Sequence, residues 1–283
     1  MNSKSRFVVS ADWLEERLDQ DDLRIVDASW YLPAQGRNAR EEYEAGHIPG
    51  AIFFDQDEVV DPGSDLPHAL PSPEVFSQHA SGLGLSNDHT IVVADALGMF
   101  TAPRVWWMLR VMGANNVLVL DGGIDNWRQA GRPIATDIPV HPAGRFQADF
   151  DTGAVANLED MRNIVQSGSM QIADARGAGR FTGEETEPRP GMRSGHMPRA
   201  RNVPVFSLSD NGHLKSLEEL QAILSDAGID LDKPVVTTCG SGVTAAVITL
   251  ALQSLANAET RLYDGSWSEW GSRDDTPVET GES

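Results

Sequence analysis

The sequence repeats four short motifs in the same order, and this internal duplication constrains the fold more than any other feature. Each motif of the first half recurs 143 to 149 residues later. The pairs are 25–29 (IVDAS) with 172–176 (IADAR), 46–51 (GHIPGA) with 195–200 (GHMPRA), 91–95 (IVVAD) with 234–239 (PVVTTC), and 119–123 (VLDGG) with 262–266 (LYDGS). Four ordered matches predict two homologous domains, at residues 1–137 and 157–283, joined by a linker at 138–156 that is rich in Pro, Gly and Asp.

Short β-rich runs alternate with amphipathic helical runs in each half. In the first half we expect strands at 23–27, 51–55, 91–94 and 117–121, and helices at 10–18, 101–112 and 124–130, with Ser10 as the first N-cap. This alternation is typical of α/β domains with a mainly parallel sheet flanked by helices. In such sheets the active site lies at the carboxyl ends of the strands.

Composition and charge argue against several classes of function. The net charge is −20 and the pI is about 4.6, which disfavours non-specific nucleic-acid binding. The apolar runs are too short to span a bilayer, and residues 1–10 lack the apolar core of a secretory signal. We therefore expect neither a nucleic-acid nor a membrane partner.

The single cysteine in 283 residues bears on compartment and cofactors. One cysteine excludes an intramolecular disulfide and suits a reducing compartment, so we expect a cytoplasmic protein. It also cannot support a structural zinc, and no cluster of His, Asp and Glu has metal-ligand spacing. No Gly-x-Gly-x-x-Gly follows a strand, so we expect neither a metal nor a nucleotide cofactor.

The cysteine, Cys239, lies between a β-branched run and a helix-forming run, with Gly240 and Gly242 on either side of Ser241. Consecutive backbone N–H groups in such a turn form a concave anion site, and the following helix adds its positive end. This setting favours the thiolate, the nucleophilic form of cysteine. The first half has Asp95 here, so we expect that domain to lack both the thiol and the glycine-rich cradle and to be catalytically silent.

Taken together, these motifs resemble the tandem-domain rhodanese family of sulfurtransferases, over about residues 8–271. Thiosulfate-using members typically carry basic residues directly after the cysteine. The loop here, CGSGVTA, has small neutral residues and a hydroxyl and is similar to the 3-mercaptopyruvate sulfurtransferase branch. The resemblance implies sulfur transfer from 3-mercaptopyruvate through a Cys239 persulfide, with release of pyruvate. The expected acceptor is cyanide, a thiol or a reduced protein of the thioredoxin type.

The resemblance also implies which residues bind the substrate. Arg180 and Arg189 map onto two arginines that hold it, and guanidinium groups suit a 2-oxo acid because they grip a carboxylate in a bidentate manner. Four residues of the active loop complete the predicted binding surface: Gly240, Gly242, Val243 and Thr244.

Three further residues resemble a catalytic Ser/His/Asp relay proposed for the mercaptopyruvate branch. They are Ser241 in the second half and His68 and Asp57 in the first half. The resemblance therefore implies an active site shared across the domain interface, in which the relay moves a proton or stabilises the departing enolate.

Two alternative functions remain at this point. One is a thiosulfate sulfurtransferase, which differs only in its donor, and the other is a persulfide carrier without fast turnover. A phosphatase of the related Cdc25-type fold is disfavoured, because its loop places an arginine six positions after the cysteine and this chain has Ala245 there.

Four other residues invite structural interpretations. His47 and His196 lie in the repeated turns of both halves, so we expect their imidazoles to hydrogen-bond backbone atoms. Arg104 is expected at the domain interface. Arg199 replaces the glycine found at position 50 in the first copy, and the sequence leaves open whether it perturbs the turn or adds positive charge near the site.

Overall fold

The computed structural model of the chain describes residues 4–257 and 259–282. Residues 1–3 and 283, the outermost ends of the two predicted domains, lie outside the described part, as does residue 258. Within that part the chain forms two five-stranded sheets and a small two-stranded one.

The two large sheets have the same topology. The strands of the first are β1 (Val8–Val9), β2 (Leu23–Asp27), β3 (Ala51–Phe53), β4 (Thr90–Ala94) and β5 (Asn116–Leu120), in the order β1-β5-β4-β2-β3. Those of the second are β6 (Val155–Ala156), β7 (Gln171–Asp174), β8 (Ala200–Asn202), β11 (Val235–Thr238) and β12 (Thr260–Tyr263), in the order β6-β12-β11-β7-β8. All neighbouring strands in both sheets are parallel. The predicted pair of homologous α/β domains is confirmed.

Short helices cover the sheets. In the first half they are α1 (Ala11–Glu15), α2 (Ala39–Ala45), α3 (Pro73–Gly82), α4 (Ala102–Val111) and α5 (Gly123–Gln129). In the second half they are α6 (Leu158–Ser167), α7 (Ala178–Thr182), α8 (Leu217–Asp226), α9 (Ala245–Ser254) and α10 (Ser266–Trp270). Among the described residues, no helix combines the length and the apolar character that a membrane span requires.

The remaining regular elements of the described residues are a hairpin and three single turns of 3-10 helix. The hairpin pairs β9 (Ser209–Asp210) with β10 (His213–Leu214) in antiparallel fashion. The 3-10 turns lie at Pro33–Gln35, Thr152–Ala154 and Val205–Ser207.

The elements predicted for the first half are confirmed within a few residues. β2 has the predicted bounds, and α1 begins after Ser10, whose side chain accepts the N–H of Trp13 as an N-cap. β3 ends two residues before its predicted end, because the Asp55 carboxylate accepts the N–H of Asp57 and starts a turn. Side-chain capping and turn formation are local, which is why the sequence pattern identified these elements.

Helices α4 and α9 pack against each other where the two domains meet. Both are almost entirely buried, and one apolar core extends from the first domain into the second through them. Helix α4 begins just after the loop that follows β4, and α9 begins just after the loop that follows β11. Both strands are central in their sheets. The interface therefore places the loop of Cys239 beside the first domain.

The segment predicted as the linker packs closely on the first domain. Residues 138–151 contain no helix or strand. The ring of Phe146 is buried edge-on against Phe76, and the N–H of Asp149 donates to the carbonyl of Met112. Residues 155–156 then form β6 and enter the second sheet.

The repeated aspartate at the end of the second strand has a different partner in each domain. Asp174 pairs with the guanidinium of Arg176 at 2.7 Å, whereas Ser29 stands at the corresponding place beside Asp27. The Asp27 carboxylate accepts the N–H and the hydroxyl of Ser29, and burial raises its pKa to about 6. The first domain thus keeps a buried carboxyl group that is harder to ionise than in the unfolded chain.

This difference predicts opposite effects of two matched substitutions. Because the folded state holds the Asp27 proton more tightly, the stability linked to this group is complete below pH 4 and is lost as pH rises through about 6. Asp27→Asn should therefore raise the free energy of unfolding by about 2 kcal/mol more at pH 8 than at pH 4. Asp174→Asn should lower it at pH 8, because Arg176 loses its charged partner. Urea unfolding at the two pH values measures both, and an Asp27→Asn effect independent of pH contradicts the prediction.

Candidate active site

Cys239 directly follows β11 at the carboxyl edge of the second sheet. Its residue surface is 2% exposed, and it lines a cavity of about 290 Å³. The carbonyl oxygens of Cys239 and Gly240 accept the N–H groups of Trp267 and Ser268, at 3.0 and 2.9 Å, in the first turn of α10. Helix α10 therefore fixes the first two carbonyl groups of the loop.

The next N–H groups of the loop remain free for a ligand. Within residues 4–257 and 259–282, those of residues 240–245 meet no protein acceptor. They lead into the first turn of α9, a helix of ten residues. Free N–H groups at a helix start attract anions, so the loop has the geometry that a thiolate or a persulfide needs.

The first domain shows what a negative charge at this position binds. Asp95 follows β4 as Cys239 follows β11, and its carboxylate accepts the N–H groups of Phe100, Thr101 and Ala102 at 3.0, 2.7 and 2.7 Å. It also accepts the N–H of Gly98. The expectation that this domain has lost its cradle is wrong, because the N–H groups are present and Asp95 occupies them.

Arg180 and Arg189 both line the cavity with Cys239. Arg180 lies on α7, which ends at Gly183 in a left-handed conformation with φ of 87°. A Cβ atom at position 240 would approach Nη2 of Arg180 to 3.1 Å, so Gly240 allows the guanidinium to lie against the loop. Burial and the neighbouring Arg180 lower the pKa of Arg189. Two close guanidinium groups make this wall of the cavity suited to an anion.

A buried carboxylate that the sequence analysis did not single out holds one of these arginines. The side chain of Glu187 is 1% exposed and accepts Nε of Arg180 at 3.2 Å and Nη1 of Arg176 at 2.8 Å. Arg176 in turn bonds Asp174 and the carbonyl of Gly195. Glu187 stands among other acidic residues in a loop, a pattern that indicates a solvated surface. The one feature of the sequence that could have indicated a buried carboxylate here is its partner Arg176, which lies in the repeated strand motif.

The three residues of the predicted relay lie in one hydrogen-bonded row. Nδ1 of His68 is 3.1 Å from the hydroxyl of Ser241, and its Nε2 is 3.0 Å from Oδ1 of Asp57. The hydrogen bond with His68 lowers the pKa of Asp57, and Nε1 of Trp30 donates to the second carboxylate oxygen at 2.9 Å. His68 is buried across the domain interface, whereas the side chain of Asp57 is 67% exposed. Ser241 is the member of this row that lines the cavity.

The predicted binding residues of the loop divide into two groups. Gly240, Val243 and Thr244 line the cavity with Ser241. Gly242 does not line it. Its φ of 79° is left-handed, and a Cβ atom there would approach the carbonyl oxygen of Asp264 to 3.0 Å. Gly242 therefore shapes the turn rather than contacting the cavity.

Aromatic side chains from both domains form the rest of the cavity wall. Phe100 of the first domain and Phe206 of the second stack with their ring centroids 5.5 Å apart, and Trp30 lies nearby. Phe206 is 72% exposed. No local pattern in the sequence indicates this wall, because its two halves lie 106 residues apart and only the tertiary fold brings them together.

The four residues for which the sequence suggested structural roles lie outside the cavity lining. Nδ1 of His47 and of His196 bonds a backbone carbonyl, at 2.8 and 2.9 Å. Arg104 is buried at the domain interface. Arg199 has φ of 69°, close to the 77° of Gly50, so the turn is kept. The guanidinium of Arg199 packs beside Gly168 and does not line the cavity.

Side chains of the types that bind metal ions are not gathered into one group in the described part of the chain. Among residues 4–257 and 259–282, no three His, Cys, Asp or Glu side chains are grouped so that they could hold a metal ion.

Comparisons with known proteins agree with this geometry. Residues 10–130 and 157–273 each match the rhodanese-like domain. The 3-mercaptopyruvate sulfurtransferase of Escherichia coli K12 is 46% identical over 272 residues, which are 96% of this chain and 97% of that protein. The mitochondrial thiosulfate/3-mercaptopyruvate sulfurtransferase 1 of Arabidopsis thaliana is 40% identical, over 99% of this chain and 80% of its own length.

A solved structure extends the likeness to three dimensions. SseA from Escherichia coli, a 3-mercaptopyruvate sulfotransferase of the rhodanese fold, superposes with a TM-score of 0.85 and 42% identity. The match covers 92% of this chain and 98% of SseA.

The buried position of Glu187 leads to a prediction about stability. Glu187→Ala should lower the free energy of unfolding by about 3 kcal/mol or more, because it leaves Arg176 and Arg180 without their shared carboxylate. Glu184→Ala, an exposed change in the same segment, should alter it by less than about 0.5 kcal/mol. Urea unfolding of both variants measures the difference, and equal losses would show that the ion pairs contribute nothing specific.

Proposed function

The chain belongs to the rhodanese family of sulfurtransferases, and we propose that it transfers sulfur from 3-mercaptopyruvate through a persulfide on Cys239. The observation that carries this proposal is the arrangement of Cys239 in an open cradle of N–H groups, facing a cavity lined by Arg180 and Arg189. In this proposal the first domain, residues 1–137, supplies no nucleophile and contributes His68 and Asp57 to a site in the second domain, residues 157–283. Residues 138–156 join the two.

The two arginines suit the carboxylate end of the donor. A 2-oxo acid presents a carboxylate next to a ketone oxygen, and guanidinium groups can hold the first in a bidentate manner while donating to the second. Glu187 neutralises part of the charge of Arg180, which leaves Arg189 as the less compensated of the two. We therefore assign the carboxylate to Arg189 and the ketone oxygen to Arg180.

The first half-reaction breaks the bond between carbon and sulfur in the donor. The Cys239 thiolate attacks the substrate sulfur, a new S–S bond forms, and the electron pair of the C–S bond passes to carbon as the enolate of pyruvate. The proton of the substrate thiol then moves to this carbon and converts the enolate to pyruvate, which leaves the outer sulfur as an anion. Ser241 lines the cavity and bonds His68, so this pair is placed to carry that proton.

The persulfide that remains on Cys239 carries its charge on the outer sulfur. The free N–H groups of residues 240–245 stabilise this charge, as the N–H groups of an oxyanion hole stabilise an oxygen anion. A second nucleophile attacks the outer sulfur and restores the thiolate. We propose cyanide or a reduced thiol, including a protein of the thioredoxin type, as the acceptor, and a cytoplasmic location on the evidence of the single cysteine.

Thiosulfate is a second candidate donor, and two observations favour keeping it. The Arabidopsis relative carries both donors in its name, and a pair of arginines can also hold a sulfonate group. Against it, residues 240–245 include no lysine or arginine to hold a second anionic pole. A persulfide carrier without fast turnover remains the other alternative, and the same experiment separates all three.

The first test of the function compares two donors and one variant. Sulfur transfer to cyanide should show a higher kcat/KM with 3-mercaptopyruvate than with thiosulfate, and Cys239→Ser should abolish both. Mass spectrometry after donor treatment should find one added sulfur atom on Cys239. Equal or greater use of thiosulfate contradicts the donor assignment. Labelling of Cys239 with negligible turnover favours the carrier, and activity in Cys239→Ser excludes the mechanism.

The relay leads to a further prediction with an internal control. His68→Asn and Ser241→Ala should each lower kcat about 100-fold, because proton transfer in the first half-reaction loses its donor. His213→Asn is the control and should leave kcat unchanged. His213 lies on β10, 145 residues after His68, and its side chain is about half exposed. Steady-state kinetics with 3-mercaptopyruvate measure all three variants. A similar loss in His213→Asn, or full activity in His68→Asn, would remove the relay from the mechanism.

A further inference from the structure

We propose that the ion pair between Arg104 and Asp264, which joins the two domains, is a positioning device that holds His68 against Ser241. Neither residue lines the cavity. Both are argued to act through His68, so the inference rests on the proposed function as far as the catalytic role of His68 is concerned. The geometric part of the inference stands on the contacts alone.

His68 has a backbone conformation that needs external support. Its φ of 59° is in the left-handed region, which brings the Cβ atom of a residue other than glycine too close to the following carbonyl oxygen. Such conformations persist where the surroundings impose them. The residue lies in a loop outside any helix or strand, and this loop holds the next residue through a hydrogen bond from the N–H of Asp61 to the carbonyl of Ala69.

Arg104 and Asp264 supply that support from two sides. Nη2 of Arg104 donates to the backbone carbonyl of His68 and to Oδ1 of Asp264, each at 2.7 Å. The second oxygen of Asp264 accepts the N–H of Leu70, also at 2.7 Å. The two side chains thus bind the segment 68–70 at both ends. Arg104 is 1% exposed and Asp264 17%, so little water competes for these bonds.

The same pair contacts the back of the cysteine loop. Nη1 of Arg104 lies 3.5 Å from the carbonyl oxygen of Gly242. A Cβ atom at position 242 would approach the same Nη1 to 3.1 Å. Arg104 therefore contacts the segment that carries His68 and also the loop that carries Ser241. A single rigid group between them sets the distance of 3.1 Å between the imidazole and the hydroxyl.

The groups that face His68 have separate tasks. Asp57 and Ser241 bond the ring nitrogens, and Trp30 packs edge-on at 4.7 Å between ring centroids. Arg104 donates to the backbone carbonyl of His68. Asp264 accepts from Arg104 and from the N–H of Leu70. The ion pair therefore acts on the placement of the ring through the backbone, whereas Asp57 and Ser241 bond the ring itself.

The internal duplication provides a matched control. Asp121 corresponds to Asp264, and its Oδ1 accepts the N–H of Leu214 at 2.8 Å, as Asp264 accepts that of Leu70. Beside Asp121, in place of a buried arginine, lie Lys4, whose side chain is 65% exposed, and the half-exposed ring of His213, whose Nδ1 is 3.3 Å from Oδ2. Both aspartates thus bind the opposite domain, but only Asp264 lies beside the relay histidine.

The test compares Arg104→Lys and Asp264→Asn with Asp121→Asn in the full chain. Three quantities are measured: kcat and KM with 3-mercaptopyruvate, the thermal midpoint, and the imidazole resonance of His68 in ¹H–¹³C NMR without substrate. His68→Asn assigns that resonance among the seven histidines.

In Arg104→Lys and Asp264→Asn we expect kcat to fall about 10-fold or more, with KM within about twofold and a shifted His68 resonance. Asp121→Asn should lower the thermal midpoint to a similar extent and leave both kcat and the resonance unchanged.

Several results would overturn the inference. They are an unmoved His68 resonance in both variants, an equal loss of kcat in Asp121→Asn, or a rise in KM with kcat intact. If Asp264→Asn does not fold, Arg104→Lys alone decides. If the wild-type protein transfers no sulfur from 3-mercaptopyruvate, the proposed function fails, but the NMR comparison still decides whether the ion pair positions His68.

Discussion

A ring of backbone N–H groups after the central strand of each sheet is the constraint on which the rest of the structure depends. Such groups need an acceptor when they are removed from water. In the first domain Asp95 supplies it from within the chain, and the loop is closed. In the second domain Cys239 stands in the same place and leaves the ring open. The cavity, its two arginines and His68 are all arranged around this open loop.

The parts of the molecule that could be predicted from sequence are those that local rules determine. Strand β2, the N-cap at Ser10 and the corner at Cys239 each follow from residues within a few positions. The relay residues came from the family resemblance instead, because nothing in their spacing links Asp57 and His68 to Ser241. The structure brings the three within hydrogen-bonding distance, which their sequence positions alone could not indicate.

The contacts that escaped prediction join distant segments through buried charge. Glu187 stands in a run of acidic residues, and only the fold shows that it lies between two arginines. Arg104 was expected at the interface, but its bonds to His68 and Asp264 depend on how two domains pack. A net charge of −20 also gives no hint of a cavity lined by two guanidinium groups.

The stacking of Phe100 on Phe206 has a consequence for the history of the duplication. Phe100 belongs to the very loop that Asp95 closes, so the copy without a thiol forms part of the wall around the other copy's thiol. A redundant copy is usually free to drift or to be lost. Here the loop that Asp95 closes forms part of the wall of the cavity in the neighbouring domain. Both copies therefore have to be kept for this wall of the cavity to be complete.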